Sequence, residues 1–201
     1  NAAKRRAKPT SGMVNAVLRR FERDRMDLMK EALKKSVAAT WNHPLWWIEQ
    51  LQHDWPDHWM ALLEANQHPA PMMLRANQQR VSSAQYLARL TEAGIEAQTF
   101  GPVGLVLAHG AGVQKLPGFA DGDVSVQDAS AQLAGTLLQQ AGLKAGSRVL
   151  DACSAPGGKT AHLLEQCELD MLALDLDEQR LTRVNETLQR LHLTAQTQVA
   201  D

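Results

Sequence analysis

Between Arg148 and Thr160 the chain reads Arg-Val-Leu-Asp-Ala-Cys-Ser-Ala-Pro-Gly-Gly-Lys-Thr. Arg148–Cys153 has the composition of a short buried strand, Ala155–Gly158 that of a tight loop of small residues, and Lys159–Gln166 that of a helix. Strand, glycine turn and helix in that order make a ligand cradle. Glycine lets the backbone approach a ligand closely, and the first helical turn offers N–H groups with no partner inside the helix. The order also commits the C-terminal part of the chain to an α/β sheet. Asp170–Leu174 reads as the next strand, Asp177–Leu191 as a helix with Asp177 suited to cap it, and Ala195–Val199 as a third strand. This β-α-β-α-β run is half of a doubly wound parallel sheet.

Upstream, the apolar spacing of Met13, Val14, Val17, Leu18 and Phe21 predicts a helix over Ser11–Arg23, and Met26, Met29, Leu33 and Val37 predict a second. Five tryptophans come next, at 41, 46, 47, 55 and 59, with Pro44 and Pro56 placed to open two short helices. Tryptophans at helical spacing serve packing more often than base stacking. Pro71–Asn77 then reads as a strand, Ser82–Ala93 as an amphipathic helix closed by Gly94, and Ala97–Phe100 and Gly104–Ala108 as strands. This is the pattern of a small α/β plait. A glycine-rich loop leads to a short strand and helix over Ser125–Ala141.

Net charge is −1, but it is unevenly spread. Residues 1–35 hold eleven Lys and Arg against four Asp and Glu, net +7, which leaves −8 on the rest. A basic head on an acidic body points to a polyanion as partner. No run of 18 apolar residues is present, so no membrane-spanning helix is expected. The first residues lack the apolar core of a signal peptide, and the chain reads as starting inside a larger protein. Two cysteines, Cys153 and Cys167, make no disulfide framework, fit a reducing compartment, and with the scattered histidines give no metal-ligand spacing.

Three kinds of cradle begin as this one does. The dinucleotide fingerprint G-x-G-x-x-G is absent. Gly158-Lys159-Thr160 matches the end of a P-loop, but that motif's first glycine falls on Cys153, and Pro156 removes one of the N–H groups that would hold phosphate. A cradle for S-adenosylmethionine has no phosphate to bind and tolerates the proline. It needs an acid at the end of the second strand for the ribose hydroxyls, where Asp175 stands, and a polar group after the third strand for adenine, where Asp201 stands.

With those residues in place, Asp151–Thr160 resembles motif I of the RNA cytosine-C5 methyltransferases, of the Sun/Fmu type that acts on bacterial 16S ribosomal RNA. Val126–Ser130 resembles that family's approach to motif I. His43–Trp46 and Pro71–Asn77 resemble its lead-in to a small RNA-binding plait, and Gly12–Arg20 resembles the last helices of its NusB-like domain. The implied fold is α/β: the N-terminal half of a Rossmann-like methyltransferase sheet over 125–201, preceded by an RRM-like or ferredoxin-like plait over 71–124. A Trp-rich helical linker over 39–70 and terminal helices of an all-α NusB-like domain over 1–38 come before it.

The resemblance further implies that Cys153, Ser154, Ala155, Pro156, Gly157, Gly158 and Lys159 wrap the methionine end of S-adenosylmethionine, with Asp175 at the ribose and Asp201 near the adenine. Lys4, Arg5, Arg6, Arg19, Arg20 and Arg75 would hold RNA. In that family a cysteine thiolate adds to C6 of cytosine, which makes C5 nucleophilic enough to attack the sulfonium methyl, and a base then removes the C5 proton. The cysteines that do this lie in later motifs. Cys153 is therefore read as a neighbour of the cofactor, Cys167 as a packed thiol, and residues 1–201 alone are expected not to turn over. A cytoplasmic monomer acting on 16S ribosomal RNA is the expectation. The competing readings are a non-catalytic RNA-binding or ribosome-assembly protein and a tRNA cytosine-C5 methyltransferase.

Overall fold

A computed structural model describes residues 10–200. Two compact units divide the chain, 1–69 and 70–201.

The first unit is helical within its described residues. Helix α1 (Ser11–Lys35) contains the first predicted segment and the second as far as Leu33, with Val37 falling beyond it and non-helical backbone at Asp24 where the two meet. Arg23 grips the Asp24 carboxylate there with two N–H groups, at 2.8 and 2.9 Å. No residue of α1 is buried, and Met13, Val17, Leu18, Phe21, Met26, Met29 and Leu33 leave an apolar stripe exposed among the described residues. Helices α2 (Val37–Trp41), α3 (Leu45–Asp54) and α4 (Trp59–Ala65) enclose a small core of Ile48, Leu51 and Leu63. Trp41, Trp47 and Trp59 pack against it, Trp41 and Trp59 edge to face at 5.2 Å, while Trp46 and Trp55 are exposed. Pro44 is the N-cap of α3, whereas Pro56 lies in a turn three residues ahead of α4.

The second unit holds two sheets. The first is antiparallel, in the order β2-β3-β1-β4, from β1 (Met73–Ala76), β2 (Ala97–Phe100), β3 (Gly104–Leu107) and β4 (Val124–Val126). Helix α5 (Ser83–Glu92) lies against it. Its start is fixed by a capping box in which Ser82 accepts from the Gln85 N–H and the Gln85 side chain accepts from the Ser82 N–H. Leu74, Leu105, Val124, Tyr86 and Leu90 form a core with no solvent exposure. The strand expected at the start of Ser125–Ala141 is β4, and it pairs with β1, so the first sheet runs across position 124/125. Between β3 and β4 only a 3-10 turn (Val113–Lys115) forms, in keeping with the glycines there.

The second sheet is parallel, in the order β5-β6-β7, from β5 (Arg148–Asp151), β6 (Asp170–Asp175) and β7 (Gln196–Val199). Helices α7 (Gly158–Gln166) and α8 (Glu178–Leu191) cover one face, closing a core of Ala161, Leu163, Leu164, Met171, Ala173, Leu181, Val184, Leu188 and Leu191. Helix α6 (Ala129–Gln140) packs beside α7. On the opposite face Leu150 is 58% exposed. Asp177 caps α8 by accepting from the N–H groups of Gln179 and Arg180. His192 ends that helix in the left-handed region at φ 57°.

Arginines join the two sheets from both sides. Arg75, on β1, is fully buried and forks onto the Glu165 carboxylate of α7 at 2.9 and 2.7 Å. Its remaining terminal nitrogen donates to Gln127 Oε1 at 2.5 Å and to the Gly158 carbonyl at 3.0 Å. Arg190, on α8, donates to the carbonyls of Phe119 and Val124 and to Ser125 Oγ, with its guanidinium 4.2 Å over the Phe119 ring. Gly122 lies so close to α8 that a Cβ there would stand 2.7 Å from the Arg190 carbonyl. The RNA-binding role expected for Arg75 is thereby corrected. A guanidinium with no solvent exposure and four hydrogen bonds inside the protein has nothing to offer a phosphate.

His162 lies buried beside this cluster. Burial first, and the Arg75 charge second, lower its pKa from 6.5 to about 4. The unfolded chain therefore binds the extra proton between those values. The neutral ring's contribution to stability is complete above pH 6.5 and is lost as pH falls toward 4. Glu165 is shifted too, raised by burial against the pull of Arg75. Subtracting a His162→Gln variant, which retains Glu165, removes that second titration. Urea unfolding from pH 7 to pH 4 should show the parent losing on the order of 2 kcal/mol more than His162→Gln does. Parallel curves would show that His162 does not titrate in this way.

Candidate functional site

The strand-loop-helix of Arg148–Thr160 forms as read, with β5 two residues shorter and α7 one residue longer than expected. The loop between them is held from its inner side. Ser154 is buried, and its N–H and Oγ both donate to the Leu174 carbonyl at 2.9 Å. The Ala155–Pro156 peptide is cis. Gly157 turns the chain at φ 97°, with its N–H on the Ser154 carbonyl at 2.6 Å. Thr187 of α8 donates to the Pro156 carbonyl at 2.8 Å. Thr160, buried in the first turn of α7, donates to the Asp151 carboxylate at 2.7 Å and so ties helix start to strand end.

Asp175 closes β6 beside this loop with a buried carboxylate. Oδ2 accepts from the Ala155 N–H at 3.1 Å. Oδ1 accepts from the Asp177 N–H at 3.4 Å and lies 3.1 Å from Arg180 Nη1. The fold thus joins an acid at the end of the second strand to the loop after the first, twenty residues earlier in the chain. Cys153 and Lys159 are exposed, at the loop and at the first turn of α7. Asp201, Lys4, Arg5 and Arg6 lie outside the described residues. Arg19 and Arg20 are exposed on α1. Cys167 is half-buried just past the end of α7. No cluster of metal-ligating side chains occurs among the described residues.

Sequence reading missed Glu165, Gln127 and Thr160. Glu165 was within reach: it comes four positions after Ala161 on a helix whose neighbouring residues are apolar, and an acid on a core-facing stripe needs a buried partner. Gln127 and Thr160 carry no comparable sequence signal.

Sheet, loop and acid define the class: a Rossmann-like half-sheet with a small-molecule cradle at the carboxyl ends of its strands. Two family models match the chain. One, described as Methyltr_RsmF/B-like, ferredoxin-like domain, covers residues 43–114, and the other, 16S rRNA methyltransferase RsmB/F, covers 139–201. Over these two segments the chain is similar to the RsmB/F-like methyltransferases. Among curated proteins, Ribosomal RNA small subunit methyltransferase B of Vibrio cholerae is 46% identical over 94% of this chain and 44% of that protein. The protein of the same name from Pseudomonas syringae pv. tomato is 48% identical over 94% of this chain and 42% of its own length. The chain therefore spans less than half the length of these relatives. A methyltransferase homologue from Pyrococcus horikoshii has the same fold at a TM-score of 0.68 and 24% identity, over 86% of this chain and 56% of that one. NSun6 from Pyrococcus horikoshii, solved with SFG, matches at 0.68 and 14% identity, over 79% of this chain and 65% of its own.

Gly157 is where the cradle leaves no choice of residue. Its φ is strained for an L side chain, and a Cβ would meet Val184 Cα at 3.3 Å. Gly157→Ala should cost about 1–3 kcal/mol in urea unfolding. Gly146→Ala, at φ 78° with nothing within 4 Å, should cost less. Equal costs at the two positions would mean that Val184 does not constrain the loop.

Proposed function

We propose that the protein carrying this chain transfers a methyl group from S-adenosylmethionine to C5 of a cytosine in 16S ribosomal RNA. The observation that carries the reading is the bond from the Ala155 N–H to the Asp175 carboxylate, which joins the motif I loop and the second-strand acid into one site. Identity of 46–48% to proteins named for small-subunit ribosomal RNA methylation supports the substrate class. A structure of the same fold with SFG, an analogue of S-adenosylmethionine, supports the donor.

The residues suit that donor. Gly158, where a Cβ would meet only Gln127 at 3.7 Å, and exposed Cys153 and Lys159 leave the outer side of the loop open. The N–H groups of the first turn of α7 face outward from the helix end and suit a carboxylate such as that of a methionine moiety. Asp175 has three of its acceptor positions engaged, by Ala155, Asp177 and Arg180. Arg180 is the exposed partner, and its withdrawal would free the carboxylate for two hydroxyls. When bound, S-adenosylmethionine supplies an electrophilic methyl group. The chain's own residues hold and orient it, with Cys153–Lys159 at the methionine end, Asp175 at the ribose and Asp201 at the adenine. Cys153 belongs to that loop and takes no nucleophilic role. Lys4, Arg5 and Arg6 in the sequence, with Arg19 and Arg20 on α1, make a basic head for RNA, Gly12–Arg20 resembling the end of a NusB-like domain, with the four-stranded plait as a second RNA surface.

The reading describes a cytoplasmic monomer. No helix among the described residues is long and apolar enough to cross a membrane.

At its full natural length the protein should bind S-adenosylmethionine and label small-subunit RNA at cytosine C5 from the labelled methyl donor. Label at another atom, or none despite cofactor binding, would remove the proposed reaction. Asp175→Ala should weaken cofactor binding by about 1–3 kcal/mol in calorimetry. Unchanged affinity would take Asp175 out of the site.

A further inference from the structure

The Arg75–Glu165 pair is an expensive way to hold two elements together. Taking both charges out of water costs much of what their attraction returns, and apolar residues of the same volume commonly do as well. Both side chains are nonetheless almost wholly buried, at 0% and 3% exposure. What apolar residues could not supply is the rest of the guanidinium's reach. Its Nη1 donates at once to Gln127 Oε1, just past β4, and to the carbonyl of Gly158, the first residue of α7. Arg75 itself sits on β1, in the interior of the plait sheet, between Leu74 and Ala76. One planar group therefore fixes the middle of one sheet, the end of that sheet's outer strand, and the first turn of the helix that forms the cradle. Gly158 has no side chain with which to anchor itself. Gln79 reinforces the contact from the plait side, donating to the Leu164 carbonyl at 2.8 Å.

We propose that Arg75 is a positioning residue for the cofactor site: by holding the Gly158 carbonyl it aims the loop 153–158, so that cofactor affinity depends on the plait being docked. The inference rests on the reading of the cradle as a site for S-adenosylmethionine. Arg75 touches neither cofactor nor RNA. Its charge is neutralised by Glu165, so it acts through geometry and not through attraction for a ligand.

The test uses the protein at its full natural length and two variants. Arg75→Met/Glu165→Met replaces the pair with apolar side chains and leaves no unpaired charge. Arg75→Lys keeps a charge for Glu165 but lacks the fork that reaches Gln127 and Gly158 together. Calorimetry with S-adenosylmethionine should show about a tenfold weaker affinity for each variant, the size expected from loss of a charged hydrogen bond that orders the site. Thermal unfolding of the double variant should stay near that of the parent. Hydrogen exchange should quicken at the amides of 153–155, 157 and 158 while those of Leu181–Leu191 keep the parent's protection. Affinity within twofold of the parent, in whichever of the two variants folds, overturns the proposal. A parent protein that binds no S-adenosylmethionine overturns instead the reading of the cradle.

Discussion

A guanidinium removed from water needs acceptors for its N–H groups and an opposite charge beside it. Arg75 places four of its five N–H groups on three residues distant in sequence: the Glu165 carboxylate, the Gln127 amide and the Gly158 carbonyl. The two sheets of the second unit are small, with four strands of three or four residues in one and three strands in the other. Sheets of that size bury too little apolar surface to stand alone comfortably. Joined through Arg75 in one direction and Arg190 in the other, they share a polar seam between two separate apolar cores. Removing either member of the buried pair would leave an unpaired charge in that seam.

The cradle depends on that seam at one end and on sheet geometry at the other. Parallel pairing places Asp151 beside Ala173, so the ends of β5 and β6 open on the same edge, and the loop after one meets the acid at the end of the other. Small residues from Ser154 to Gly158 are a consequence. The loop is gripped by Leu174 beneath, by Asp175 and Thr187 at its sides, and by Val184 at Gly157, where no volume is left for a side chain.

Local pattern was enough to read most elements. Strand, loop and helix at 148–166, the capping role of Asp177, the amphipathic α5 with Gly94 beyond it, and the break in α1 near Asp24 all arise from spacing and turn chemistry. What the sequence could not show was pairing across distance. The short strand at Val124–Val126 is legible as a strand, yet its partner β1 lies fifty residues earlier, and no local signal says which sheet it joins. Arg75 was misread for the same reason. A lone arginine in a strand resembles a phosphate contact until the carboxylate ninety residues away is seen to face it. The cradle was more legible than the seam because its chemistry is carried by contiguous small residues, whereas the seam is built from single residues scattered over the fold.

The burial of the Arg75–Glu165 pair also separates two responses to ionic strength. The arginines of α1 stand in solvent, where added salt weakens their hold on any polyanion within a Debye length of about 10 Å at 0.1 M. The guanidinium in the seam is shielded by protein on all sides, and dissolved ions do not reach it. Salt therefore screens the exposed arginines of α1 and leaves the inter-sheet joint intact.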